Sequence, residues 1–385
     1  MTDAAVVGRI LRDYRLGPAS VRRRYGSVSG ARVGYRLEWP GGDAMLVRAY
    51  RADLPLSEYL RGSGTAPVTD WLLGRAATLA WLAARGYPAP RVVATRSGDL
   101  VGVEGAWLTW ATTEVPGRAL PRGGGLSGLL GAALGRLHAL GPPETAPGAP
   151  SGGAPRAPSG RAPGASVPEA SGSWAAAPGA SGPGRRPPGL ATWHPATAIP
   201  AALRRLDAVA ALLPTDWRPL HARFRGTLLA VRRAAPGLPT AVVHGDARPG
   251  NAVVVPGGEA VLTGWEDGGL GLPLLDLGQC LLECHLDPGL PPWRRDAWLI
   301  EPDPGRIAAV LDGYTRWRPV IDAEREALAD GIRFGTAYAG AIHFERALID
   351  GVRGPTMAAR LACLKNRIAV SQAIADLGAR HLGSR

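Results

Sequence analysis

The sequence predicts an α+β protein of two lobes, the first rich in strands and the second mainly helical. Three observations carry that prediction. Strand patterns punctuated by turns fill the first third of the chain, one long helical pattern interrupts them, and helical periodicity dominates the C-terminal half apart from one small hairpin. At 385 residues the chain has enough material for more than one hydrophobic core.

Tyr25–Glu38 reads as two strands around a Ser/Gly turn that contains Ser27, Ser29 and Gly30. Pro40, Gly41, Gly42 and Asp43 make the next turn, and Ala44–Tyr50 alternates as a third strand. A helix is expected from about Trp71 to Arg85. Thr69 or Asp70 caps its start, Gly86 ends it, and Pro88 and Pro90 block its continuation. Arg91–Ala94 and Trp107–Ala111 read as further strands. Leu126–Leu140 is an amphipathic helix, because Leu126, Leu130, Ala133 and Leu137 fall on one face.

Residues 141–189 break the pattern. Of these 49 positions 40 are Gly, Ala, Pro or Ser, 12 of them proline, too little apolar surface to offset the entropy of ordering. The segment is expected to be a disordered insertion without chemistry of its own. Helices then follow near Ile199–Leu213 and Asp216–Ala234, before a short apolar strand at Ala241–His244. Ala252–Val255 and Ala260–Thr263 pair around Pro256-Gly257-Gly258, and the remainder from Leu274 is helical. The organisation that results has a first lobe at 1–112 and a junction with the first helix of the second lobe at 113–140. The insertion at 141–189 separates these from the rest of the second lobe at 190–385.

Composition narrows the function classes. No apolar run reaches the roughly 18 residues that a membrane span needs, and the N-terminal MTDAAVVGRILRDYRLG carries charges where a signal peptide would be apolar. No membrane association and a cytoplasmic location are the expectations. The net charge of +12 rests on arginine, Lys365 being the one lysine among 44 basic residues. No basic run interleaves with aromatics, so nucleic acid is not an expected partner. Three cysteines make no disulfide framework. Cys280 and Cys284, with His285 beside them, read as small core residues on a helix face rather than as a zinc site.

The chemistry lies in His244-Gly245-Asp246-Ala247-Arg248-Pro249-Gly250-Asn251, between the short strand and the hairpin. Phosphoryl transfer from ATP requires a carboxylate to accept the proton of an attacking hydroxyl and oxygen ligands for magnesium. An Asp followed five residues later by Asn on a tight loop supplies both, with Asp246 as base and Asn251 as metal ligand. This HGDxxxxN element, the hairpin after it and Gly264–Gly278 (GWEDGGLGLPLLDLG) together resemble the aminoglycoside phosphotransferase and choline kinase group, which has a protein-kinase-like fold. Gly86-Tyr87-Pro88-Ala89-Pro90 and Val115-Pro116-Gly117 at the lobe junction share the likeness, which runs from about Val21 to Phe344 apart from the insertion.

The resemblance implies a role for each matching position and exposes departures. Arg48 stands where the family's first lobe presents lysine to the nucleotide phosphates. Ser27, Ser29 and Gly30 fall at the phosphate-facing turn, and Arg248 falls near the transferred phosphate. Asp276 matches the aspartate that anchors catalytic-loop backbone. Gly264, however, occupies the position of a magnesium-binding aspartate. Glu266 shares its face if the segment is extended, which makes Glu266 the replacement ligand, with Asp267 nearby. Arg75 stands where the first long helix is expected to carry glutamate toward Arg48.

Residues 276–350 hold 13 acidic and 8 basic side chains in an otherwise basic chain. If Asp322, Glu324, Glu326, Asp330 and Glu345 line the cleft, they select a cationic or amine-bearing acceptor. If they pair with Arg325, Arg333 and Arg346, they are merely helix surface. Two functional readings follow. One is an ATP- and magnesium-dependent phosphotransferase acting on a hydroxyl of a small molecule. The alternative is a pseudokinase that keeps the fold with a degraded metal site.

Overall fold

The computed structural model describes residues 10, 12–14, 19–26, 32–52, 68–120, 126–142, 192–193, 195–285, 301–351 and 355–383. Ser27, Ser29 and Gly30 lie outside these, as does the low-complexity segment beyond Pro142.

The first lobe is built on an antiparallel sheet. β1 (Ser20–Gly26), β2 (Arg32–Glu38) and β3 (Ala44–Arg51) run in sequence order. β4 (Val92–Val93) and β5 (Gly102–Glu104) both pair with β6 (Trp107–Thr113), which lies against β3. The strand alternation decides which side chains reach the cleft. Met45 and Val47 of β3 join Val33, Tyr35 and Leu37 of β2 in a small core on one face. Leu46 and Arg48 point the other way, where Arg48 pairs in register with Trp110 of β6.

α1 (Val68–Ala84) packs under that second face. Trp71, Leu72, Ala76, Leu79 and Leu82 recur at helical spacing and are buried, and Trp71 meets Tyr50 edge to face. Its end forms as the sequence predicts. Gly86 adopts φ +67°, and Tyr87 N–H turns back to the Leu82 carbonyl, so the last orphan carbonyls are satisfied. The helix begins slightly earlier than expected, at Val68.

The connection Glu114–Gly117 leads through β7 (Arg118–Ala119) into α2 (Ser127–Ala139) of the second lobe. There β8 (Thr192–Trp193), α3 (Pro195–Val209), α4 (Arg218–Ala234) and β9 (Ala241–Val243) precede the hairpin β10 (Ala252–Val254) and β11 (Ala260–Leu262). β12 (Gly269–Gly271) lies antiparallel to β9. The helices α5 (Pro273–Glu283), α6 (Pro304–Thr315), α7 (Asp322–Glu326), α8 (Leu328–Leu348) and α9 (Pro355–Gly383) complete the lobe.

Glycine lets α2 and α6 approach backbone to backbone. A Cβ on Gly131 would stand 2.1 Å from the Val310 carbonyl oxygen, and one on Gly313 would stand 2.1 Å from the Gly128 carbonyl oxygen. That close seam brings His138 of α2 to Tyr314 of α6. Cys280, Cys284 and Cys363 are buried free thiols among core residues. Among the described residues no helix is long and apolar enough to cross a membrane.

Candidate active site

The loop after β9 is held from beneath by one buried carboxylate. Asp276, in the first turn of α5, accepts the backbone N–H groups of His244 at 2.6 Å and Gly245 at 3.0 Å. His138 Nε2 lies 3.2 Å from the same carboxylate, its Nδ1 lies 2.8 Å from the Tyr314 hydroxyl, and Arg318 donates to that hydroxyl at 2.9 Å. Burial alone would raise the Asp276 pKa, but the hydrogen bonds from His138 and the loop backbone overrule it and hold the carboxyl below its ordinary range. Burial pushes the His138 pKa below the usual histidine value, against the pull of Asp276, and so favours the neutral ring. The protons therefore line up in one direction: Arg318 donates to Tyr314, Tyr314 to His138 Nδ1, and His138 Nε2–H to Asp276. His244 closes the loop from the other side, its Nε2 being 2.8 Å from the Thr263 carbonyl and its ring against Trp265.

On this anchored loop the chemistry-bearing side chains converge. Asp246 Oδ2 accepts from Asn251 Nδ2 at 2.6 Å and from Arg248 Nε at 2.9 Å, and Oδ1 accepts from Gln279 Nε2 at 3.0 Å. Burial pushes the Asp246 carboxyl above its ordinary range, although Arg248 and the Asn251 hydrogen bond pull the other way. Its side chain remains 22% exposed, enough for a ligand to reach it.

The segment after the hairpin departs from expectation. Gly264 adopts φ +74°, and Trp265–Asp267 forms a 3₁₀ turn, so Glu266 does not lie on an extended strand sharing the face of Gly264. Its carboxylate reaches the first lobe instead, with Oε1 at 2.6 Å from Arg48 Nε. Arg75 donates Nε to the Glu266 carbonyl at 2.8 Å and lies over the Trp71 ring. Arg75 therefore binds the backbone of the second lobe. It is buried, and that burial lowers its pKa to about 10. A Cβ on Gly264 would stand 3.1 Å from Asn251 Oδ1, so the missing side chain would have emerged beside the Asn251 carboxamide.

A cavity of about 360 Å³ opens between the lobes, within the range of small-ligand sites. Leu46, Arg48 and Trp110 come from the sheet, Glu114–Gly117 from the connection, and Thr263, Gly264 and Trp265 from the second lobe. Arg48 lies over the Trp110 ring and lines this space while its guanidinium pairs with Glu266. Arg36 of β2 grips Glu114 with Nε at 2.8 Å and bridges to Glu38, fixing the sheet to the connection at the cavity rim.

The acidic side chains expected in the acceptor site are not free to form one. Asp322 pairs with Arg325, Asp330 with Arg333, Glu345 with Arg205 at 2.9 Å, and buried Glu324 is gripped by Arg318 at 2.9 and 3.0 Å. Glu326 is exposed. The charge argument for a cationic acceptor therefore fails, since four of its five carboxylates already have arginine partners. One participant and one pairing escaped the sequence reading. Gln279 follows Asp276 by three residues, the helical spacing that puts both on one face, and that was the available signal. The pairing of Glu266 with Arg48 depends on a turn that carries no strong local signature.

Comparisons with known proteins agree on the architecture. Similar solved structures include an amicoumacin kinase in complex with AMP-PNP, Ca²⁺ and Ami, with a TM-score of 0.63 and 15% identity over 97% of this chain and 94% of that one. A microcompartment-associated aminopropanol kinase gives 0.61 and 16% over 98% and 100%. An aminoglycoside phosphotransferase from Alicyclobacillus acidocaldarius gives 0.55 and 13% over 100% and 97%. At these identities the likeness shows the fold, a two-lobed kinase-like phosphotransferase architecture. The search of curated proteins found no match. The profile of the phosphotransferase enzyme family matches residues 66–323, two-thirds of the sequence, including the Asp246 loop and the Trp265–Asp267 turn, and the chain belongs to that family.

Proposed function

We propose that this protein transfers the terminal phosphoryl group of a nucleoside triphosphate, ATP in the first instance, to a hydroxyl of a small molecule. The observation that carries the reading is the Asp246 carboxylate, held by Asn251, Arg248 and Gln279 yet still accessible, with Asn251 against Gly264 in the wall of an interlobe cavity that Arg48 lines. In the transfer the acceptor oxygen forms a bond to the γ-phosphorus while the bridge to the β-phosphate breaks. The acceptor's proton passes to Asp246, and the nucleoside diphosphate leaves with the bonding electrons. Arg48 and Arg248 supply positive charge at the phosphates.

The residues present do not fit a magnesium ion held by the protein in the family's manner. Gly264 offers no carboxylate, Glu266 is engaged by Arg48, and Asn251 Oδ1 is the side-chain oxygen left beside Gly264. Among the described residues no group of three or more His, Cys, Asp or Glu side chains is arranged around a common point for a metal. No step of the transfer is therefore routed through a protein-held metal.

The test is phosphate transfer from radiolabelled ATP to a panel of small alcohols, with and without Mg²⁺, alongside calorimetric titration with a non-hydrolysable analogue. Asp246→Ala should lose about 10²–10⁴-fold in turnover while keeping nucleotide affinity. Equal turnover by the variant removes Asp246 as the base. The competing reading, nucleotide binding without transfer, predicts binding by the wild type and no labelled product at any Mg²⁺ concentration.

A further inference from the structure

Resting on the reading of Asp246 as the base, we infer that Gln279 is the positioning residue that makes Oδ1 of Asp246 the proton-accepting oxygen and sets where the acceptor hydroxyl must lie.

A carboxylate offers about two lone-pair directions on each oxygen. Both are taken on Oδ2, by Asn251 Nδ2 at 2.6 Å and Arg248 Nε at 2.9 Å. Oδ1 takes one donor among the described residues, Gln279 Nε2 at 3.0 Å. The direction that remains on Oδ1 is the place for a hydroxyl proton, and it lies beside the Gln279 amide. An acceptor approaching from the Arg248 side meets an oxygen already saturated. The hydroxyl that reacts therefore sits between Oδ1 and the incoming phosphate, against the carboxamide of Gln279.

The position of Gln279 is fixed by the same helix that fixes the loop. Asp276, one turn earlier on α5, holds the backbone of His244 and Gly245, so a single helix face sets three consecutive loop residues. α5 is itself seated without slack. A Cβ on Gly278 would stand 2.5 Å from the Gly331 carbonyl carbon on α8, a backbone contact that leaves no room for the helix to slide. One turn further along α8, a Cβ on Gly335 would make ordinary contact with Gln279 Oε1 at 3.6 Å, so the carboxamide lies close against that turn of α8.

The inference is tested with Gln279→Met, which keeps the length and removes the donor, and Gln279→Glu, which keeps the shape and replaces the donor with a charge. Hydrolysis of ATP with water as acceptor is measured beside Asp246→Ala and the double variant Asp246→Ala/Gln279→Met, with thermal melts to confirm folding. A purely structural role would be met by either isostere. Positioning through Asp246 predicts a fall in kcat on the order of tenfold to a hundredfold for Gln279→Met, at unchanged KM for ATP, and a further fall for Gln279→Glu. It also predicts no additional loss from Gln279→Met once Asp246 is alanine, the mark of a residue acting through another. If Asp246→Ala is inactive while Gln279→Met turns over at the wild-type rate, or if the two losses simply multiply, the inference fails and the base assignment stands. If the wild type hydrolyses no ATP, or Asp246→Ala equals it, the base assignment fails and the inference goes with it.

Discussion

Arg48 and Glu266 form an ion pair 2.6 Å apart that ties the first lobe to the segment after the hairpin of the second. In protein kinases the corresponding strand cation pairs with a glutamate on the lobe's own helix. Here that helix carries Arg75, and Arg75 holds the main-chain carbonyl of Glu266. Two cations of the first lobe thus grip one residue of the second, one by its side chain and one by its backbone. The acid that answers Arg48 stands on a loop, and the pairing spans the cleft instead of lying within one lobe.

Replacing Glu266 by Gln keeps the volume and removes the charge that answers Arg48. Loss of a charge-assisted contact at a mostly buried position should cost about 1–3 kcal/mol, read as an earlier urea midpoint at unchanged slope. Nucleotide affinity should fall equally in EDTA and in Mg²⁺, because the effect passes through Arg48. A loss confined to Mg²⁺ would instead make Glu266 a metal ligand.

Gly264→Asp should restore what the site lacks. Aspartate tolerates the left-handed conformation better than most residues, at a cost of about 1 kcal/mol. Its Cβ would press on the Asn251 carboxamide, which must yield by a few tenths of an ångström. Its carboxylate would then stand beside Asn251 Oδ1, and calorimetry should show nucleotide binding that tightens with Mg²⁺ more than in the wild type. A folded variant with no added Mg²⁺ response would show that the oxygen pair alone does not make the site.

Turnover should depend on pH through Asp246. The base works ionised, and burial raises its pKa, so activity should fall with decreasing pH at values above the 3.9 or so of a solvated aspartate. Arg248 pulls that pKa down, so Arg248→Leu should move the acid limb of the kcat profile toward higher pH. An unmoved limb would mean that another group controls it.

Stability should decline as the pH drops below about 6.5. Burial depresses the pKa values of His138, His285 and His343, the last to about 4. The unfolded chain then binds protons that the folded chain refuses, and the folded state loses ground progressively through that window. His343→Gln should flatten the fall between pH 7 and pH 5 by about 2 kcal/mol, checked by paired thermal melts. A parallel shift of both curves would show that His343 is not a contributor.

What could be read from the sequence was what depends on near neighbours. The Asp246–Asn251 loop, the hairpin at Pro256–Gly258 and the helix stop at Gly86 rest on turn chemistry that a few residues specify. Asp276 was legible through a motif. The partners of charged side chains were not, because they come from remote segments. Glu345 meets Arg205 across 140 positions, and Arg75 meets the Glu266 backbone across 191. A local charge count therefore suggested an acidic acceptor site in residues 276–350, while the ion pairs that neutralise it depend on packing.

The carboxylate of Asp276 has one more consequence, for amide exchange. Loops at active sites usually exchange their N–H hydrogens fast, through small openings that leave the core intact. The His244 and Gly245 amides are bonded to a buried, ionised carboxylate whose own partner is a buried histidine. Exposing either amide would strand that charge in the interior, so their exchange becomes tied to opening of the α2–α6 seam. In thermodynamic terms the Asp246 loop belongs to the core of its lobe and offers the interlobe cavity a fixed floor.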